Sequence, residues 1–96
     1  MNNYEAMFLI DTNLDDKGIE ALCNQVIKEA ILKNGGDIVS SGNWAEKRKL
    51  HFPIKKRQEA TYHLVNFNLP PDSVDKIKQV YRLNESILRV LITKIE

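Results

Sequence analysis

Six basic side chains lie close together between residues 47 and 57, with no acidic side chain among them. They flank the apolar segment 50–54, which reads "LHFPI". Like charges so close together repel, so an anionic partner would stabilise them. A nucleic-acid backbone is such a partner, because Lys and Arg bind its phosphates without any fixed catalytic geometry. The simpler explanation is a solvated edge strand whose charge prevents aggregation. The basic cluster consists of Lys47, Arg48, Lys49, Lys55, Lys56 and Arg57.

The other chemically reactive residue types fit structural roles better than catalytic ones. His51 and His63 fall in predicted strands, Cys23 flanks an apolar helical stripe, and Asp15 and Asp16 suit the start of a helix. The sequence has no phosphate-binding glycine loop, no G-x-S-x-G and no H-E-x-x-H. We therefore expect no enzyme activity, no metal, no cofactor and no small-molecule substrate.

The charge is unevenly divided along the chain, although the formal net charge is only +1. Residues 1–46 carry three basic and eight acidic side chains, whereas residues 47–96 carry eleven basic and five acidic ones. This division predicts one surface for an anionic partner and a separate acidic surface.

The length of 96 residues predicts a single domain, residues 1–96, with one modest core. A single cysteine cannot form an intramolecular disulfide, which favours a reducing, cytoplasmic setting. The sequence has neither a basic leader at its start nor an apolar run of the ~20 residues that cross a membrane. We expect no membrane partner.

Hydrophobic periodicity predicts six elements in the order β-α-β-β-α-β. Strands are expected at "YEAMFLID", at residues 37–54 with an interruption near "SSGN", at "ATYHLVNFNL" and at "ILRVLITKI". One helix is expected between Asp15 or Asp16 and Gly35 or Gly36, and a shorter one from Pro71 or Asp72. "KKRQE" is expected to turn the chain, and Pro53 predicts an edge strand or a bulge.

This order predicts an α+β, ferredoxin-like split β-α-β-β-α-β fold, a four-stranded antiparallel sheet with two helices on one face. The other face is left open. On the last strand, the set Arg89, Leu91 and Thr93 tolerates water better than Leu88, Val90 and Ile92, so we expect the first set to point outward. The outward set is partly apolar, which suggests a partner on this face. "TYHLVNFN" lacks the aromatic motif of base-stacking sheets, so recognition of RNA backbone and shape is expected.

Three segments carry a family resemblance: "NYEAMFLID", "KRKLHFPIKKRQEATYHLVNF" and "RLNESILRVLITK". In order and at the right distances they resemble the bacterial small-subunit ribosomal protein S6 family, over nearly the whole chain. The resemblance implies a structural, non-enzymatic ribosomal protein. It also implies binding to the central domain of small-subunit rRNA, cooperatively with ribosomal protein S18.

The resemblance further implies roles for particular residues. Tyr4, Arg82, Arg89 and Lys94 would face RNA, and the basic cluster would supply further contacts with rRNA or with the partner. The surface that packs on the core or on the partner protein would include Leu50, Phe52 and Ile54, with Leu91 on the open face.

The sequence departs from the family pattern in the middle segment and at its start. Glu46 stands at a usual glycine, His51 replaces alanine and Phe52 replaces tyrosine, so Phe52 has no hydroxyl for any hydrogen bond from that position. Asn2 and Asn3 stand where the family often has basic residues, which predicts weaker phosphate contacts there.

Two readings unrelated to RNA compete with this one. Ferredoxin-like domains also sense small ligands, which would require a pocket between helices and sheet with convergent polar groups. A protein-interaction domain would use the open sheet face alone, and the basic cluster would then protect an edge.

Overall fold

The computed structural model describes the backbone of residues 1–54 and 57–95. It describes the side chains of the same residues except those at 43–49, 51–54 and 57. The elements are β1 (Asn2–Asp11), α1 (Asp16–Leu22), a π-helical segment (Cys23–Lys28), α2 (Glu29–Lys33), β2 (Asp37–Ile54), β3 (Arg57–Leu69), a 3₁₀ turn (Pro71–Ser73), α3 (Val74–Arg82) and β4 (Ile87–Ile95).

The run from α1 through the π-helical segment to α2 is continuous and is called the first helix below. Asp15 caps it, because its carboxylate accepts a 2.7 Å hydrogen bond from the amide of Gly18. The helix ends before Gly35, whose φ of 85° lies in the left-handed region that favours glycine. One helix was predicted here. The wider π-helical turns in its middle were not.

The four described strands form one antiparallel sheet in the order β2-β3-β1-β4. β2 is an edge strand, and its register against β3 shifts at four places, one of them between Lys49 and Ile54 around Pro53. The expected interruption of this strand was wrong, because the chain accommodates "SSGN" by register shifts within one continuous strand. β3 begins at Arg57, so the predicted turn at "KKRQE" was too long.

Alternation along the strands separates the two faces of the sheet. The even-numbered residues of β1 and the odd-numbered residues of β3 form the core with the helices, and Phe8 meets Tyr81 of α3 edge to face with ring centroids 4.9 Å apart. Both helices therefore cover the same face, which confirms the predicted ferredoxin-like fold. The core includes Ala6, Phe8, Ile10, Ile27, Ile31, Val65, Phe67, Leu69, Ile77 and Tyr81.

None of the described helices covers the other face. Arg89, Leu91 and Thr93 are exposed as predicted, and Val90 and Ile92 are half-buried. Leu88 does not follow the alternation, because the register between β1 and β4 shifts after Leu9. Its side chain is therefore buried in a small cluster with Leu9 and Ala60 on the open face. None of the described helices is long and apolar enough to cross a membrane.

Candidate nucleic-acid and protein interface

The described members of the basic cluster lie on two paired strands, β2 and β3, which extend past the rest of the sheet. The last residue of β1, Asp11, pairs with Ala60 of β3, and Ala60 also pairs with Arg48 of β2. Farther along, Lys49 pairs with Glu59 and Ile54 pairs with Arg57, with no partner from β1. The backbone at 49–54 and 57–59 therefore forms a two-stranded extension carrying the most basic part of the sequence.

The structure locates the members of this cluster to different extents. Arg48, Lys49 and Arg57 have assigned backbone partners, and Lys47 lies on β2. Lys55 and Lys56 lie outside the described residues, as do the side chains of Lys47, Arg48, Lys49, Arg57, Phe52 and Ile54. Their predicted contacts therefore stay predictions.

Leu50 is the one member of "LHFPI" whose side chain is described. It is half-buried and packs against the cluster of Leu9, Ala60 and Leu88. That cluster lies on the open face, so Leu50 joins the hairpin to the surface predicted for a partner protein.

The open face carries an apolar row across three strands. Met7 pairs with Leu64 on one side and with Leu91 on the other, and antiparallel partners share a face. Leu91 is 50% exposed, which is high for a leucine in a sheet. The next row consists of Tyr62, Leu9 and Arg89 and adds a cation to this surface.

Met7 and Leu64 were missed as candidates, although the sequence contained a signal for them. Met7 and Leu9 alternate with the core residues Ala6 and Phe8, so a strand that is apolar on both faces was already visible in "AMFLI". Leu64 follows the same alternation in β3.

Two of the predicted RNA-facing cations lie together. Arg82, at the end of α3, and Arg89, on β4, are exposed and line one cleft beside Leu88 and Val90. Lys94 is exposed but lies in the same register row as Tyr4, on the opposite face from Arg89. These three cations make no ion pair with any side chain that the structure describes. The one salt bridge among the described side chains joins Lys33 and Glu29, at 2.7 Å.

Tyr4 does not lie where an RNA-facing residue was expected. Its side chain is 7% exposed, and its ring stacks on Phe67 with centroids 5.7 Å apart. The ring therefore belongs to the core and offers no face to a nucleotide base. Its hydroxyl accepts a 3.3 Å hydrogen bond from the side-chain amide of Asn2.

A second cleft lies between the first helix and strands β2 and β3 and contains the groups most able to do chemistry. His63 and Cys23 line it together with Lys28 and the carboxylates of Asp16 and Glu20. Burial lowers the pKa of His63, and the nearby charge of Lys28 lowers it further.

Burial also raises the pKa of the Cys23 thiol, against the opposing effect of Lys28. The imidazole and the thiol are therefore neutral at pH 7, and a neutral thiol is a poor nucleophile. The described residues contain no group of three or more His, Cys, Asp or Glu that could hold a metal ion. Cys23 is buried, as its sequence position predicted, and His63 is buried to the same extent on the helix-covered face of the sheet.

Comparison with known proteins agrees with this geometry. The sequence profile of the family "Ribosomal protein S6" matches residues 3–94. The chain is 36% identical to the small ribosomal subunit protein bS6 of Caldanaerobacter subterraneus subsp. tengcongensis, over 98% of this chain and 97% of the relative. It is 35% identical to the protein of the same name from Clostridium acetobutylicum, over 100% of this chain and 99% of the relative.

Among solved structures, the crystal structure of 30S ribosomal protein S6 from Thermotoga maritima superimposes with a TM-score of 0.87 at 26% identity, covering 98% of this chain and 87% of that one. The profile match and the full-length relatives establish the family to which these residues belong. The chain is a member of the ribosomal protein S6 family, whose proteins are structural, non-enzymatic components of the small subunit of the cytoplasmic ribosome.

Proposed function

We propose that the chain binds small-subunit rRNA in its central domain and does so cooperatively with ribosomal protein S18. The observation that carries the proposal is the hairpin extension, which carries the backbone of Lys49 and Arg57 beyond the end of β1. A projecting basic ribbon reaches a nucleic-acid backbone without a steric conflict between the RNA and the remainder of the domain. Counterion release then supplies most of the affinity.

The cleft of Arg82 and Arg89 extends the proposed RNA footprint to the opposite edge of the sheet. Their exposed side chains make no ion pair with a described side chain, so no described protein carboxylate has to be displaced before a phosphate binds. Lys94 is a third candidate, at the end of the same strand.

The open face is the surface we propose for S18. The row of Leu64, Met7 and Leu91 is apolar and incompletely buried, and Leu50 joins this face to the hairpin. A partner seated there would touch the sheet and lie beside the RNA held by the hairpin. Two proteins that share one continuous RNA surface bind more tightly together than alone, because each pre-organises the site of the other.

The salt dependence of rRNA binding tests the electrostatic part of this proposal. Replacing Lys47, Arg48 and Lys49 with glutamine should lower the slope of log K against log salt by about two to three units, since each lost phosphate contact removes slightly less than one. Replacing Arg89 alone should lower it by about one unit.

The matched control replaces three exposed lysines elsewhere, namely Lys17, Lys33 and Lys76, with glutamine. It makes the same change in net charge, and its slope should stay close to that of the unmodified protein. Equal slopes for the two triple variants would mean that the RNA senses only overall charge and that the hairpin is not the contact.

A further inference from the structure

The two edges of the sheet differ in regularity. β2 at one edge is irregular, with four register shifts against β3. β4 at the other edge keeps an unbroken register against β1 from Arg89 to Ile95 and contains no proline. Bulges and prolines are common devices that block a further strand from pairing, so β2 has such protection and this part of β4 lacks it.

The regular edge, that of β4, is apolar on both of its faces. Leu91 and Ile95, on the open face, are 50% and 39% exposed. Val90 and Ile92, on the helix face, are half-buried. Within the described residues β1 is the only strand paired with β4, so alternate amide and carbonyl groups of β4 point away from the sheet.

The edge strand itself carries two cations and no acidic side chain. Arg89 and Lys94 lie near the two ends of the apolar stretch 90–92. A strand that pairs here therefore meets a cation at each end.

A second copy of the chain offers this edge no complementary charge. Antiparallel pairing of two β4 strands about Leu91, the centre of the apolar stretch, would place Arg89 opposite Thr93 and Lys94 opposite Leu88. Neither cation would then face a carboxylate, which is the side chain that favours a cation directly opposite it in a strand pair.

We propose that β4 accepts an extended segment of a partner protein as a fifth, antiparallel strand. The segment has about three apolar residues, facing Val90, Leu91 and Ile92, and a carboxylate at each end, facing Arg89 and Lys94. Backbone hydrogen bonds supply the affinity in this mode of recognition, and the side chains supply specificity. The proposal goes beyond the rRNA and S18 contacts described above, although the site shares Leu91 with the surface proposed for S18 and shares Arg89 and Lys94 with the proposed RNA footprint.

A polypeptide fits the edge better than an RNA strand does. The exposed backbone of β4 offers donors and acceptors in alternation, as another strand requires, whereas phosphate oxygens only accept. The apolar side chains between the two cations also find no counterpart in a phosphate backbone.

The test uses the full chain and a labelled synthetic peptide, Glu-Thr-Val-Leu-Val-Glu, which matches the edge when read antiparallel to β4. We expect binding by fluorescence anisotropy, with slower amide hydrogen exchange at alternate positions between Val90 and Ile95. A second peptide with the same sequence, N-methylated at alternate residues, keeps every charge but cannot donate to the edge. We expect it to bind at least about tenfold more weakly, the effect of losing two or three hydrogen bonds.

A charge-reversal pair separates this site from general attraction of anions. Lys94→Glu should weaken the binding of the acidic peptide and strengthen the binding of a matched peptide in which lysine replaces both glutamates. The control variant, Lys17→Glu, should leave both affinities close to their original values. Equal affinity of the methylated and unmethylated peptides would overturn the proposal. So would protection of the same amides by single-stranded RNA, since the edge would then be an RNA surface. Neither result would affect the hairpin's predicted salt slope, which is measured with RNA and without peptide.

Discussion

Replacing Tyr81 with phenylalanine should lower the free energy of unfolding by about 1–3 kcal/mol, the usual cost of leaving a buried polar group without its partner. The hydroxyl of Tyr81 donates a 2.7 Å hydrogen bond to the carbonyl oxygen of Ile27 in the π-helical segment. The side chain is fully buried, and burial raises the pKa of the hydroxyl, so it stays protonated and remains a donor at neutral pH. The substitution keeps the aromatic packing on Phe8, so the loss reports the bond between α3 and the first helix.

Thermal and urea denaturation followed by circular dichroism measure this loss. In a domain of this size 1 kcal/mol corresponds to a change of about 4–8 °C in Tm, so the expected decrease is well above experimental error. The matched control is Tyr4→Phe, which also deletes one hydroxyl but removes only the 3.3 Å bond from the neighbouring Asn2. Equal unfolding free energies for the two variants would refute the reasoning, because the short, buried bond would then contribute nothing beyond a longer, part-buried one.

Three further predictions concern backbone geometry, helix capping and pH. Gly36→Ala should destabilise the fold by about 1–3 kcal/mol because its Cβ would lie 2.5 Å from the carbonyl oxygen of Asn68, whereas Gly42→Ala, with nothing within 4 Å, should be nearly neutral in urea denaturation. Asp15→Ala should cost about 1 kcal/mol through loss of the helix cap, measured by the same method. The lowered pKa of His63 means that the unfolded chain binds its proton first, so stability should be complete above about pH 6.5 and fall as the pH decreases below it. In His63→Gln the change in Tm between pH 7 and 5 should be smaller.

Much of the fold could be predicted because each element has a period that a single sequence displays. The apolar stripe of the first helix, the alternation in β1 and the capping residue Asp15 are all local features. The position of Leu88 was not predictable in this way, because its turn toward the open face depends on a register shift between β1 and β4, which are distant in sequence. The start of β3 at Arg57 was missed for a similar reason: the polar residues Gln58 and Glu59 have low strand propensity, and pairing with β2 overrides it.

The candidate site was predicted less completely than the fold. The outward direction of Arg89 and Leu91 followed from alternation and is confirmed. The RNA-facing role of Tyr4 was predicted from the family resemblance instead. The alternation of Tyr4 with Ala6 and Phe8 already indicated that its side chain lies in the core. Clustering of Arg82 and Arg89 in one cleft required the packing of α3 beside β4, which no local pattern reveals.

The affinity of the chain for a central-domain fragment of small-subunit rRNA, measured with and without S18, tests the central claim most directly. Cooperative binding predicts weak binding by the chain alone and an affinity at least about fivefold higher when S18 is present, the lower end of common coupling energies. Leu91→Asp, on the proposed partner surface, should reduce this increase while leaving the weak binding of the chain alone nearly unchanged. An rRNA affinity that does not change when S18 is added would contradict the cooperative account.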